Sequence, residues 1–160
     1  MTSPTIPVLH GSITVNAPID RAFHAFTSSL DGWWPREYHI GPVDMAEAIL
    51  EAGQGGRWYE RGVDGSECDW GRVLVWEPPH RLVVTWQING RWQYDPDPAH
   101  ASEVEVHFTA IAADRTSVQL EHRYIERLVE AEALVDGIEQ QGGGWNSLLQ
   151  RFAQMLASLP

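Results

Sequence analysis

The chain has no lysine. Its 11 basic residues are all arginine, set against 22 Asp+Glu, for a formal net charge of −11 over 160 residues. Without a lysine amine there is neither Schiff-base chemistry nor the phosphate-cradling lysine of a P-loop. The acidic excess leaves little from which to build the basic patch that nucleic acids or anionic lipid surfaces require, so neither partner is expected. Cysteine is nearly missing too. Cys68 stands alone, so no internal disulfide forms and no oxidising compartment is implied. No apolar run approaches the ~20 residues of a membrane-spanning helix. The opening MTSPTIPVLHGSITV has no charged segment followed by an apolar one, so no secretory signal is expected and a cytoplasmic location is. Catalytic signatures are absent as well: no HExxH, GxSxG, CxxC pair or Walker A. The GQGGRW run at 53–58 misses the dinucleotide-binding pattern because Trp58 stands in the third glycine's place.

What the chain has instead is tryptophan. Eight indoles, each able to bury about 150–250 Å² and each carrying an N–H that needs an acceptor, imply a large-featured and partly polar interior. A single domain over residues 1–160 is expected, because a chain of this size buries roughly 70% of its unfolded surface in one core. The seven histidines are scattered, with no i,i+4 helical pair and no short Cys/His cluster, so no metal site is expected. DGSECD at 64–69 lacks the spacing of a calcium loop. Glu67 and Asp69 flank Cys68 and raise its thiol pKa, which argues against a nucleophile. DPDPAH, Asp95 to His100, is a Pro-rich loop of the kind that can overhang a cavity mouth.

The hydrophobic period changes along the chain. Leu9–Val15 alternates as a strand. Ile19, Ala22, Phe23 and Phe26 then fall at helical spacing, followed by a short turn carrying Trp33 and Trp34 and stopped by Pro35. Six β-prone runs come next: 45–51, 57–61, 69–76, 81–88, 103–112 and 117–124. They are separated by Gly-, Pro- and Asn-containing turns at meander spacing. A short helical segment and a glycine break at 142–144 lead into a final helix. Its stripe is Trp145, Leu148, Leu149, Phe152, Leu156 and Leu159.

Four blocks in this order resemble the START/SRPBCC superfamily: NAPIDRAFHAFT…WW, GGRWYERGVDGSECDWGRVLVWEPPHRLVVTWQI, SEVEVHFTA…TSVQLEHRYIERL and GWNSLLQRFAQML. Within it they resemble the bacterial homologues of the heat-shock-protein-90 ATPase activator, over residues 8–159. The resemblance implies an α+β helix-grip fold, a curved seven-stranded antiparallel sheet around a long C-terminal helix, with a cavity between them. The superfamily spans lipid carriers, polyketide cyclases, hormone receptors and co-chaperone domains, so fold alone does not select among them.

The residues expected to wall that cavity are Trp34, Trp58, Trp86, Phe108, His122, Trp145, Leu149 and Phe152. His122 shares a strand face with Val118 and Leu120, where an imidazole either orients a ligand or sits satisfied in the core. Alternation pairs Glu60 with Trp58, and Arg72 with Trp70 and Trp76. Both charges face inward if the indoles do, and outward if Gly71, Val73 and Val75 take the inside instead. The expected function is binding of a small hydrophobic or aromatic molecule, without cofactor or metal. One alternative is a stress-related domain with a chaperone partner. Another is a cyclase- or dehydratase-type enzyme using His122 as base with Glu60 or Tyr59 assisting, although no catalytic set stands out. Monomer and homodimer are both compatible with the sequence.

Overall fold

Strand pairing follows the meander that the turn residues dictate. In the computed structural model, which describes residues 6–140 and 144–159, seven strands form one sheet. They are β1 (Leu9–Val15), β2 (Met45–Leu50), β3 (Arg57–Gly62), β4 (Glu67–Glu77), β5 (Arg81–Trp86), β6 (Ser102–Ala112) and β7 (Arg115–Arg123). The order across the sheet is β1-β7-β6-β5-β4-β3-β2, antiparallel throughout. Helices α1 (Ile19–Ser28) and α2 (Leu30–Trp33) connect β1 to β2. Helices α3 (Ala131–Gln140) and α4 (Gly144–Ser158) follow β7. Most of the expected glycine break, 142–143, lies outside the described residues.

The concave face is built by alternation. Val104, Val106 and Phe108 on β6 sit beside His122, Leu120 and Val118 on β7, and beside Leu82, Val84 and Trp86 on β5. All of them are buried. Helix α4 lies against this face, burying Trp145, Leu148, Leu149, Phe152 and Leu156. Leu159 falls beyond the helix and is exposed. The helix approaches closely because β1 presents Gly11, where an added Cβ would lie 3.0 Å from Trp145 Cβ and 3.1 Å from Leu149 Cδ1.

Strand β4 breaks the alternation twice, which resolves the ambiguity of Glu60 and Arg72. One bulge makes Trp70 an extra residue against β3, since Trp58 pairs with Gly71 and Tyr59 with Asp69. A second falls at Leu74, since Val73 pairs with Val84 and Val75 with Val83. Trp70, Gly71 and Val73 are therefore all buried, while Arg72 turns outward to Asp69. Glu60 faces inward with Trp58 and is only 1% exposed. Neither simple alternation describes this strand.

The convex face is a lattice of ion pairs. Arg57 reaches Glu67 and Asp69, and Arg123 reaches Glu103, Glu105 and Glu121. Glu105 also contacts Arg81 and His107, and is 8% exposed. Burial would raise its carboxyl, but Arg81 and Arg123 prevail and hold it down at about 2.

Candidate functional site: a tryptophan-walled cleft

Six of the eight tryptophans touch one another. Trp34 is the hub, with ring centroids 5.7 Å from Trp33, 5.9 Å from Trp58, 5.2 Å from Trp70 and 6.4 Å from Trp145. Trp86 closes the circuit at 6.0 Å from Trp58 and 5.6 Å from Trp145. Most of these pairs are edge-on or tilted, the geometry that the ring quadrupole favours.

The cluster is core on one side and wall on the other. Trp34, Trp70, Trp86 and Trp145 form the inner wall of a narrow cleft with a cavity volume of about 40 Å³. Tyr38, Ile40, Ile88, Trp92, Ile138 and Leu148 also line it. Trp34 and Trp145 also border a smaller apolar space deeper in the fold, with Trp58 on its wall.

One lining residue comes from a strained turn. Trp92 has a left-handed backbone (φ 59), held where the Asn89 side chain accepts hydrogen bonds from the backbone of Arg91 and Gln93. Its ring packs on α3 at Gly137, where a Cβ would come within 2.6 Å of Trp92 Cζ2. A bulky residue at positive φ costs on the order of 1–3 kcal/mol and persists only where its surroundings fix it.

Of the eight residues expected around the cavity, Trp34, Trp86 and Trp145 line the cleft, and Trp58 the space behind it. Phe108 and Phe152 lie in the packed core, 5.5 Å and 5.2 Å from Phe26. Leu149 is fully buried behind Gly11. His122 lies behind Trp86 and Trp145 and does not border the cleft. Sequence reasoning missed Tyr38, Ile40, Trp70, Ile88, Trp92, Ile138, Gly144 and Leu148 as lining. Leu148 was readable from the helical stripe, Ile138 sits on α3 and Gly144 at the start of α4, and the others depend on irregular segments or on the β4 bulge.

The hydrogen bonds around His122 fix its tautomer. Trp145 Nε1–H donates to His122 Nδ1 at 3.3 Å, so the proton sits on Nε2. Nε2–H faces Ser102 Oγ at 2.9 Å, and Ser102 in turn donates to the Trp86 carbonyl at 2.8 Å. The relay is satisfied at each step and holds Trp145 and Trp86, two walls of the cleft, in place. Burial pushes the imidazole down to about 3. So weak a base, with both nitrogens engaged, suits a positioning role better than proton abstraction.

Glu60 is a second buried anchor. Its Oε1 accepts from the backbone N–H of Ile40 at 2.7 Å and from Trp70 Nε1 at 3.0 Å, tying two cleft residues together. Its Oε2 lies against Gly41, behind the cleft wall, without a hydrogen-bond partner. Tyr59 points to the other face, beneath the Arg57 guanidinium at 3.9 Å. Burial, with Glu60 and Asp69 adding to it, pushes the nearby Cys68 thiol up to about 11. Cys68 is therefore expected to react with iodoacetamide at pH 8 at least about tenfold more slowly than free cysteine. A rate matching free cysteine, followed by mass spectrometry, would remove that account of its surroundings. Among the described residues, no three His, Cys, Asp or Glu side chains converge in a way that could hold a metal ion. No described helix is long and apolar enough to cross a membrane.

A curled seven-stranded antiparallel sheet gripping a C-terminal helix is the helix-grip architecture of the START/SRPBCC superfamily. Residues 16–157 match the model of the family described as Activator of Hsp90 ATPase homolog 1-like protein, and the chain belongs to that family. Among solved structures it is similar to an anthrahydroquino-gamma-pyrone synthase, Txn09, at 37% identity and a TM-score of 0.67, with 94% of this chain and 97% of that one covered. It is also similar to CalC, a self-sacrificing resistance protein from Micromonospora echinospora, at 30% identity and TM-score 0.67, covering 94% of each chain. CalU16 from the same organism shares the fold at 23% identity and TM-score 0.59, with 97% and 82% covered. No curated protein sequence matches the chain.

Proposed function

We propose that this protein binds a planar, polycyclic aromatic small molecule in the tryptophan-walled cleft. The observation that carries the reading is the wall itself. Four buried indoles and Trp92 face one opening, which is narrow as it stands and has to widen to admit a ring system. Such walls offer flat, polarisable area to an aromatic guest and little to a charged or flexible one. The similarity to a synthase named for an anthrahydroquinone-fused pyrone agrees with a fused-ring ligand. Titration of the protein with 9-fluorenone, followed by tryptophan fluorescence and calorimetry, is expected to give saturable 1:1 binding. Ile138→Trp, which adds bulk to the lining, is expected to weaken it at least about tenfold, the loss expected when a ligand no longer fits. No saturable binding to the wild-type protein would overturn the reading.

A second reading, a ring-forming enzyme, is favoured by the name of that same relative. Among the described residues lining the cleft, Tyr38 is the only one with a titratable side chain, while His122 and Glu60 stand behind the wall. Any catalysis here would come mainly from holding a reactive chain in a folded, near-attack shape rather than from an acid–base pair.

A further inference from the structure

Among the four buried indoles of the cleft wall, three have their N–H groups served inside the protein. Trp70 donates to Glu60 Oε1 at 3.0 Å, Trp86 to the Ile88 carbonyl at 2.9 Å, and Trp145 to His122 Nδ1 at 3.3 Å. Trp34 is different. Its ring is 94% buried at the hub of the cluster, and its Nε1 has no acceptor in the protein. Among the described residues only one other buried side-chain atom shares that condition, Glu60 Oε2, which lies behind the wall against Gly41. A buried donor without a partner is costly, and in a native protein it calls for an explanation such as strain, an ordered water or a bound group.

The position is also selective. Trp34 borders both the cleft and the apolar space behind it, so an acceptor reaching its N–H must belong to a group that has entered between the rings. The partners of the other three indoles keep those N–H groups from competing for the guest. Resting on the binding reading above, we infer that Trp34 Nε1–H is the cleft's specificity-determining donor. It selects aromatic ligands that carry a ring carbonyl or similar oxygen acceptor over hydrocarbons of the same shape.

The test uses two rigid tricyclic probes that differ in one oxygen, 9-fluorenone and fluorene, with the wild-type protein and Trp34→Phe. Phenylalanine keeps an aromatic ring in the cluster but removes the N–H. Fluorenone affinity is expected to fall about tenfold in Trp34→Phe, the worth of one buried hydrogen bond, while fluorene affinity changes less than about threefold. Equal losses for both probes would overturn the inference and leave the binding reading standing. No binding of either probe by the wild type would instead overturn the binding reading itself. A second measurement needs no variant: the indole ¹⁵N–¹H resonance of Trp34 is expected to move downfield on adding fluorenone and not on adding fluorene. Saturating fluorenone that leaves that resonance in place would sink the inference even if Trp34→Phe fails to fold.

Discussion

Replacing Gly71 by alanine is expected to be among the most damaging single changes in the protein, costing about 4 kcal/mol and lowering the melting temperature by roughly 10 °C. Gly71 sits beside the first β4 bulge with Trp58 and Thr85 pressed onto it. An added Cβ would lie 2.5 Å from Trp58 Nε1, 2.6 Å from Thr85 Oγ1 and closer still to the Thr85 carbonyl oxygen. The carbonyl is backbone and cannot swing aside. It is also the acceptor of the Trp58 N–H at 2.7 Å, and the Thr85 hydroxyl accepts from Arg72 N at 2.8 Å. The methyl group therefore overpacks the wall and threatens one buried and one part-buried hydrogen bond together. Gly65 supplies the contrast. It has a positive φ of 86 in the β3–β4 turn, with nothing within 4 Å of an added Cβ. Gly65→Ala should cost only about 1 kcal/mol of backbone strain. Urea denaturation of the two variants side by side decides the matter, and comparable losses would mean that crowding at Gly71 is not the cause.

That glycine also marks where the sequence stops being readable. Helical and strand periods place α1, α4 and all seven strands to within a few residues, because burial on one face imposes a period that composition alone displays. Nothing in DWGRVLVW announces two bulges. A bulge is a decision about register between strands, and it left Trp70, Gly71 and Val73 all inside while Arg72 went out. The cleft follows the same division. Trp86 and Trp145 were legible as inward-facing members of regular elements. Tyr38 and Ile40 come from an irregular segment, and Trp92 from a turn with left-handed backbone, so their convergence is a matter of tertiary structure.

The convex face bears on the chaperone-partner alternative that the family name raises. Its arginines are already engaged: Arg57 by two carboxylates, Arg81 by Glu77 and Glu105, and Arg123 by three carboxylates. The exposed large apolar residues, among them Val63, Leu74, Ile111 and Tyr124, are spread over different elements. A protein partner docking on this face would have to break or cover ion pairs that already satisfy one another. The cleft wall, by contrast, includes Trp34, whose buried N–H has no acceptor within the protein.

Acidification from pH 6.5 to 4.5 is expected to destabilise the fold by about 2–3 kcal/mol through His122 alone. The imidazole titrates near 6.5 in the unfolded chain and at about 3 in the folded one, because burial in the Trp86–Trp145 pocket disfavours its charged form. Between those values the unfolded state binds a proton that the folded state refuses. Stability is therefore full above 6.5 and falls with pH, at up to about 1.4 kcal/mol per unit, until about 3. The other shifted groups leave the upper part of this window clear. Glu105, held at about 2 by Arg81 and Arg123 against an ordinary 4.5, adds its loss only below 4.5. His100 is raised by Asp95, so its contribution is present below 6.5 and is lost as pH rises above that value. Denaturant titrations at fixed ionic strength across pH 4.5–6.5 should thus show one proton taken up on unfolding in the wild type. The slope should be nearly flat in His122→Gln, whose amide can still accept from Trp145 but has no proton to take up in this range. A flat wild-type profile would mean that the imidazole is solvated and free to take a proton, returning it to the candidates for a catalytic base. A sloping one makes it the fixed post on which two walls of the cleft are hung.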